Sequence, residues 1–313
     1  MIDSPRAQQV FLAVLPASVR DGSSLLAGLR IVWAGEGNLG DVRQFLSQQP
    51  DIVTAHHLSP GARQALAEAG ISWADETGAA EVAIGTILVS RTGRPLPPRN
   101  PAIRWAPATL AVAEGLLCGV EATVAATREA TGLSTGSCTT ALQTLTTMGL
   151  LEAEVARGRG AGRRLRDASA LLSAYATAAV ELRSPLFLQV RVTWRDPVAG
   201  LLELSRRLNC YTTGAVAAAV MAPHLTHIGA SEVYLEVETL AGLQAMAEQA
   251  GLKPIEGGRL TLRPMPTRTI SRLAQSVGGL RVAPWPRVYV DLRSVGVRGE
   301  EAAEHLREVC CGS

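Results

Sequence analysis

Apolar residues in the first part of the chain come in two rhythms. Short runs, at 30–34, 51–55 and 71–75, read as strands. Between them the spacing turns helical. Val42, Phe45 and Leu46 share one face of a helix expected over 41–48. Ser59-Pro60 predicts a helix start, because serine oxygen caps the first amides and proline's fixed φ suits the first turn. That helix should reach Ala69 and stop at Gly70. Further helices are expected over 5–15 and 23–29, and further strand over 81–90. Alternation of this kind predicts an α/β layer.

The stretch RTGRPLPPRNP (91–101) then places four prolines between apolar regions. Proline removes amide donors and disfavours helix, so this reads as an exposed linker. Residues 102–181 read helix, helix, helix, hairpin, helix. Beyond a softer boundary near 182–188, strand-like runs such as LQVRVTW, EVYLEVE and RLTLRP mix with helical ones such as AGLQAMAEQAG and GEEAAEHLREVC. The expected fold class is α/β and α+β, multidomain, with domains at 1–95, 96–182 and 183–313. No repeat or low-complexity tract interrupts this order.

A chain of 313 residues fits about two or three domains. At 47% apolar and 19% charged it can build large cores, which excludes global disorder. The net charge of +2 excludes a chain that is basic throughout, but a local stripe can still bind nucleic acid. Lys253 is the single lysine, and Ala, Gly and Val are abundant. That pattern reads as coding bias, so only the placement of arginines carries meaning. Cys118, Cys138, Cys210, Cys310 and Cys311 are odd in number and lack a C-x-x-C pair, which favours free thiols in a reducing cytoplasm. Adjacent Cys310 and Cys311 could form a thiol switch, although a chance terminal pair is the simpler reading. No cationic leader precedes a long apolar segment, and no run approaches the ~18 residues of a membrane span.

Gly35-Glu36-Gly37-Asn38-Leu39-Gly40 follows a strand and fits G-x-G-x-x-G, the dinucleotide fingerprint. Such a site needs an acid at the end of the second strand, about 20 residues on, to hold the ribose. That strand ends in His56-His57 instead. The glycines therefore read as a turn feeding a helix that Asp41 begins.

The densest signal lies at 121–167. A helix is expected from Glu121 to Ala130, a turn at Gly132, and a second helix capped by Ser134. Cys138, Leu142, Leu145 and Met148 form one apolar stripe, which places Cys138 in the core, and Gly149 ends the helix. LLEAEVA alternates as a strand, RGRGAG makes a glycine-rich tip, and RRLRD returns. The pattern T-x-x-x-G-L-S…L-x-x-L-x-x-x-G-L followed by a basic hairpin resembles a winged helix-turn-helix. A helix of this kind enters the major groove with its first turns at base edges. The positions expected to face DNA are Thr135, Ser137, Thr139, Thr140, Gln143 and Thr144. On the wing, Arg157, Arg159, Arg163 and Arg164 would meet phosphates, releasing counterions. The helix itself carries no arginine or lysine near its front, and Thr127 and Arg128 stand where leucine and alanine are more usual.

Around this module the chain is similar to the AbiEi family of antitoxin-type transcriptional regulators, over roughly 102–311. The resemblance rests on RWAPATLAVAEGLL, LLSAYA (171–176), VTWRDP (192–197), TGAVAAAVMAPHLT (213–226), VYLEV (233–237), LRPMP (262–266) and PRVYVDLRSVGVRGEEAAEHLRE (286–308). It implies a double-stranded DNA-binding repressor of its own promoter; some such proteins act beside a nucleotidyltransferase-type toxin, which the resemblance does not assign to this chain. Candidate partners are a cognate toxin or another protein and, because repressors often need two half-sites, a second copy. It also implies a C-terminal domain resembling a degenerate nucleotidyltransferase. In that domain Thr213-Gly214 stands as a relic of the glycine turn, and Glu236 and Glu238 share one strand face as a mimic of paired metal-binding acids. A solvated face suits those two glutamates better. His224 and His227 lack a further ligand at metal spacing. Residues 51–82 resemble the closing strand-helix-strand of a restriction-endonuclease-like domain. The span where its catalytic acids would lie offers Glu36 and Asp41 and no lysine. The expectation is a DNA-binding regulator with no catalytic residue, metal or cofactor. The alternatives are a metal-dependent nuclease or nucleotidyltransferase, and a protein-interaction hub.

Overall fold

The computed structural model describes residues 5–16, 19, 28–94, 105–153, 162–223 and 228–311. The backbone groups into two compact units, Met1–Ala102 with Gly296–Glu304, and Ile103–Val295 with His305–Ser313. Each mixes helices with sheet, so the chain is a mixed α/β protein of more than one unit.

The first unit runs α1 (Pro5–Val14), β1 (Ile31–Trp33), α2 (Leu39–Leu46), β2 (Ile52–Ala55), α3 (Pro60–Glu68), β3 (Ser72–Asp75), β4 (Ala80–Ile84) and β5 (Ile87–Arg91). The strands form one sheet in chain order; β1, β2 and β3 are parallel, and β4 and β5 add on antiparallel. Successive side chains on a strand point to opposite faces. Ile52 of β2 therefore packs with Val10, Phe11 and Val14 of α1, while Val53 packs with Val42 of α2 and Ala62 and Leu66 of α3. Helices cover both faces, which is why β2 is buried along its whole length.

Two expectations change in detail. The second helix starts at Leu39 rather than Asp41, so Gly40 lies inside it. Asp41 is the third helical residue and accepts a hydrogen bond from the Asn38 amide, 3.1 Å away. Segment 81–90 is a hairpin that turns at Gly85 rather than one strand. Most of the expected helix over 23–29 lies outside the described residues, as does the proline-rich part of the linker.

Asp75 ends β3 with its carboxylate fully buried. It accepts hydrogen bonds from the amides of Leu58 (3.2 Å), Thr77 (3.0 Å) and Ala79 (3.3 Å), and from the Arg63 guanidinium (3.1 Å). Burial alone would raise its pKa, but the bonds from His57, Thr77 and Leu58 hold it below the usual carboxylate range. The Ser59 side chain caps α3 as expected, accepting from the Ala62 amide at 3.2 Å. Glu300 closes the same helix end, taking the Ser59 hydroxyl at 2.6 Å and the Gly61 amide at 3.1 Å.

The second unit begins with α4 (Pro107–Leu117), α5 (Val124–Thr131), α6 (Thr135–Thr147), β6 (Leu151–Ala153), β7 (Arg163–Leu165) and α7 (Ala168–Glu181). It continues with β8 (Leu188–Arg191), α8 (Pro197–Ser205), β9 (Cys210–Thr213), α9 (Gly214–Met221), β10 (Ser231–Leu235), α10 (Leu240–Gln249), β11 (Lys253–Pro254), β12 (Leu260–Pro264), α11 (Thr269–Leu273), β13 (Gln275–Val277), β14 (Leu280–Val282) and α12 (Trp285–Arg293); the last helix, α13 (Val297–Cys311), belongs to the first unit as far as Glu304. Seven of these strands form a mixed sheet in the order β11-β8-β12-β10-β9-β14-β13, with β10 parallel to β12 and β14 parallel to β9.

Helix α12 is buried along most of its length and brings two charges into the core, Arg287 and Asp291. Asp291 accepts the hydroxyls of Thr213 (2.6 Å) and Tyr234 (2.7 Å) from β9 and β10. Arg287 lies 3.7 Å from the buried carboxyl of Glu114 on α4 and over the ring of Tyr175 on α7. The Tyr175 hydroxyl donates to Glu114 at 2.5 Å. One polar cluster thus links α4, α7, α12, β9 and β10.

Two predictions follow from these buried acids. Asp75→Asn should cost the first unit about 3 kcal/mol, because buried donors lose their anion. Asp75 has a depressed pKa when folded, so its stabilisation is present above the unfolded value and disappears as pH falls through the folded one. Denaturant melts against pH should show an acid limb below about pH 4 that the variant flattens. Glu114 behaves oppositely: burial raises its pKa despite Arg287 and the Tyr175 bond. Its contribution is complete below the unfolded value and falls away as pH rises through the folded one. Glu114→Gln keeps an acceptor for Tyr175 and should cost under about 1.5 kcal/mol, whereas Glu114→Leu should cost about 3 kcal/mol. Equal losses for the two in urea titrations would refute a contribution from the Tyr175–Glu114 hydrogen bond.

Candidate nucleic-acid interface

The interface is built around α4, whose residues from Thr109 to Leu116 are all buried. A helix buried on all sides belongs at the centre of its bundle, and α5, α6 and α7 all pack on this one. Thr123 caps α5 by accepting from the Ala126 amide at 3.2 Å, so that helix runs Val124–Thr131 rather than from Glu121. Thr127 occupies a fully buried position. Its hydroxyl donates to the Thr123 carbonyl at 2.7 Å, which lets a polar residue fill a place that leucine would normally take. Arg128 is exposed.

Gly132 joins α5 to α6 with φ of 72°, in the left-handed region that side chains resist. A Cβ there would also stand 3.0 Å from Arg272 Nη1. Arg272, on α11, donates to the Glu129 carbonyl at 3.1 Å and so closes the C-terminal end of α5. Trp285 does the same for α4, its indole N–H donating to the Leu117 carbonyl at 3.2 Å.

Ser134 caps α6, accepting from the Ser137 amide at 3.1 Å. The inner stripe of α6 is Cys138, Ala141, Leu142 and Leu145, and Met148 is half-buried at its end. On the outer face Thr135, Thr139, Thr140 and Gln143 are exposed, with Ser137 and Thr144 half-buried. The positions expected to face a groove therefore lie on one side, away from the packing. Thr139 and Thr144 donate their hydroxyls to the carbonyls four residues back, each at 2.9 Å. Those threonines offer outward a methyl and an acceptor oxygen. Gln143 is the one amide side chain on this face.

The hairpin pairs Leu151 with Leu165, Glu152 with Arg164 and Ala153 with Arg163. Arg163 is half-buried, and its Nε donates to Thr146 on the back of α6 at 3.2 Å. That bond ties hairpin to helix. Arg164 is exposed and pairs with Glu152 at 3.3 Å; Arg166 pairs with the same carboxylate at 3.5 Å. Glu152 and Arg166 were not singled out in the sequence, because the register that sets Glu152 opposite Arg164 is not visible there. Arg157 and Arg159 lie outside the described residues.

The other candidate sites resolve differently. In the glycine loop, the carbonyls of Gly35, Glu36 and Gly37 accept the amides of His56 (2.9 Å), His57 (3.3 Å) and Ser59 (3.0 Å). A Cβ on Gly37 would fall 2.5 Å from the His57 carbonyl oxygen, so close strand contact demands this glycine. The Asp41 carboxylate already occupies the N-terminus of α2, where a dinucleotide phosphate would have to bind. Glu36 lies in this loop, 3.9 Å from His56.

Glu236 and Glu238 do not share a strand face, because β10 ends at Leu235 and both side chains are exposed beyond it. The acid on that strand is Glu232, opposite Thr213 and paired with Arg183 (3.3 Å) and Arg263. Thr213-Gly214 does form a strand-to-helix turn, but the Thr213 hydroxyl is given to Asp291. His224 and His227 lie outside the described residues. Among the described residues no group of three His, Cys, Asp or Glu is arranged to hold a metal ion. All five cysteines are free. Burial raises the pKa of both the Cys310 and the Cys311 thiols, which disfavours the reactive thiolate.

No protein-family model, no curated protein and no solved structure matches the chain.

Replacing Gly132 with alanine tests the turn. The left-handed backbone and the Arg272 contact together should cost about 1–2 kcal/mol. Thermal unfolding that leaves the second unit unchanged would show that the turn tolerates a side chain.

Proposed function

We propose that this protein is a sequence-specific, double-stranded DNA-binding transcriptional regulator of the cytoplasm that represses its own promoter in the manner of an antitoxin. The observation that carries the reading is the outer face of α6. Its threonines and Gln143 take no part in the core, and the arginine-bearing hairpin is anchored to the same helix through Arg163 and Thr146. A helix of thirteen residues is about 20 Å long and fits the major groove with its side chains. Acceptor oxygens suit the amino groups of adenine and cytosine, threonine methyls suit the thymine methyl, and Gln143 can bond adenine through two atoms. The arginines of the hairpin would supply the attraction to phosphate that α6 lacks.

On this proposal the chain is an AbiEi-type protein. Its first unit would be an endonuclease-like appendage and its C-terminal sheet a nucleotidyltransferase-like relic. The absence of lysine beside Glu36 and the pairing of Glu232 with two arginines both support lost catalysis. Groove-reading modules usually bind two half-sites, so a homodimer is the expected form, and a cognate toxin a further partner. Among the described residues no helix is long and apolar enough to cross a membrane.

The test is a gel-shift titration on the DNA upstream of its own gene, at about 50 and 200 mM salt. Substituting Arg157, Arg159, Arg163 and Arg164 together by alanine should weaken binding and lower the salt slope by about 0.9 per lost phosphate contact. Gln143→Ala should relax discrimination at one base pair by about 1–3 kcal/mol and leave non-specific binding intact. Unchanged affinity and slope in the arginine variant would sink the reading. Failure to bind any duplex, together with tight capture of a partner, would make the winged helix a protein contact surface.

A further inference from the structure

A cavity in the first unit takes no part in the proposed DNA reading. Its volume is about 870 Å³, within the roughly 300–1,000 Å³ of small-molecule sites. Its walls are Ala13 of α1, the turn after β3 (Glu76, Thr77 and Gly78), and the end of β5 with the residues after it (Ser90, Arg91, Thr92 and Arg94). It opens beside the carboxyl end of β3, in a sheet whose first three strands are parallel. In open sheets of this kind ligands bind outside the carboxyl ends of the strands.

The chemistry of the walls selects the ligand class. One apolar side chain, Ala13, faces seven polar or glycine residues, which is unsuited to an apolar ligand. The single acid, Glu76, is already met by Arg6 at 2.8 Å and His56 at 2.6 Å. Two hydroxyls are also committed, Thr77 to Asp75 and Ser90 to Glu81. Arg91, Arg94 and Thr92 remain as donors, and among the described residues neither arginine forms an ion pair. The walls are set in advance. Asp75 holds the turn through the Thr77 and Ala79 amides, and the Arg94 amide donates to the Thr77 carbonyl at 2.9 Å. Two guanidiniums on a fixed frame match a ligand with adjacent anionic groups, since arginine pairs with phosphate oxygens through two parallel bonds.

We propose that this cavity binds a small molecule bearing a di- or triphosphate, held by Arg91 and Arg94 with Thr92 beside them. The site is independent of the DNA reading and survives its failure.

Isothermal titration calorimetry of the full chain with pyrophosphate tests it, with ATP and GTP as further probes and sulfate as the control for simple charge attraction. Pyrophosphate should bind more tightly than sulfate. Arg91→Ala and Arg94→Ala should each weaken it about tenfold or more. Thr92→Asp keeps both arginines but adds a carboxylate, and should abolish binding while thermal unfolding stays unchanged. The variant lacking Arg157, Arg159, Arg163 and Arg164 should bind pyrophosphate normally. The proposal is overturned by the absence of heat at millimolar pyrophosphate, by equal affinity in the Arg91 and Arg94 variants, or by loss confined to the variant of the hairpin.

Discussion

A guanidinium with no access to water organises the second unit. Taking a charge out of water costs several kcal/mol unless opposite charges and hydrogen bonds replace the lost hydration. Arg287 is met by the Glu114 carboxyl, the Tyr175 ring and, one helical turn along, Asp291. Arg287 and Asp291 share one helix, so the position that satisfies one also directs the other toward Thr213 and Tyr234. Helix α12 therefore has few acceptable placements. Through Glu114 the same constraint reaches α4, on which α5, α6 and α7 pack. The outward face of α6 is thus oriented by a cluster that contains none of its own residues.

This cluster is not fully satisfied. Among the described residues, Glu114 Oε1, Asp291 Oδ1, and Arg287 Nε and Nη2 are buried without hydrogen-bond partners. A half-met ionic core is a poor source of stability compared with apolar packing. Its effect lies in specificity, because alternative packings of α12 would strand a charge. Arg272 and Trp285 act in the same sense. Each reaches from the C-terminal region to close the end of a helix, Arg272 that of α5 and Trp285 that of α4, and these helices and the sheet belong to one unit.

The parts legible in the sequence were those set by neighbours a few residues away. Ser59 and Ser134 cap as expected, Gly132 takes positive φ, and the stripe of Cys138, Leu142 and Leu145 is buried. The exposed positions on α6 follow from the same periodicity. Errors arose where two local rules competed. Asp41 reads equally well as a first residue or as the third residue of a capping box, and Thr123 is no more conspicuous than Glu121 as a helix start. Glu236 and Glu238 looked like strand residues by alternation alone. The Val237 amide turns back to the Leu235 carbonyl at 2.8 Å and ends the strand first. Glu232, Asp291 and Arg287 could not be found, because their partners lie tens to more than a hundred residues away. The same holds for Glu300, which caps a helix 239 residues before it.

The composition of the α6 face has a further consequence for how such a surface would read DNA. It carries no charge, so it adds no counterion release and little non-specific affinity. Two of its threonines spend their hydroxyl hydrogens on the helix itself, leaving acceptors and methyls to meet the groove. On the proposed reading attraction to phosphate would come from the hairpin, where Glu152 offsets part of the charge of Arg164 and Arg166. Both pairs are largely exposed, and exposed pairs are worth only about 0–1 kcal/mol. A DNA phosphate would therefore displace Glu152 at small cost. On the proposed reading affinity and discrimination would be divided between two elements, and the bond from Arg163 to Thr146 ties those elements together.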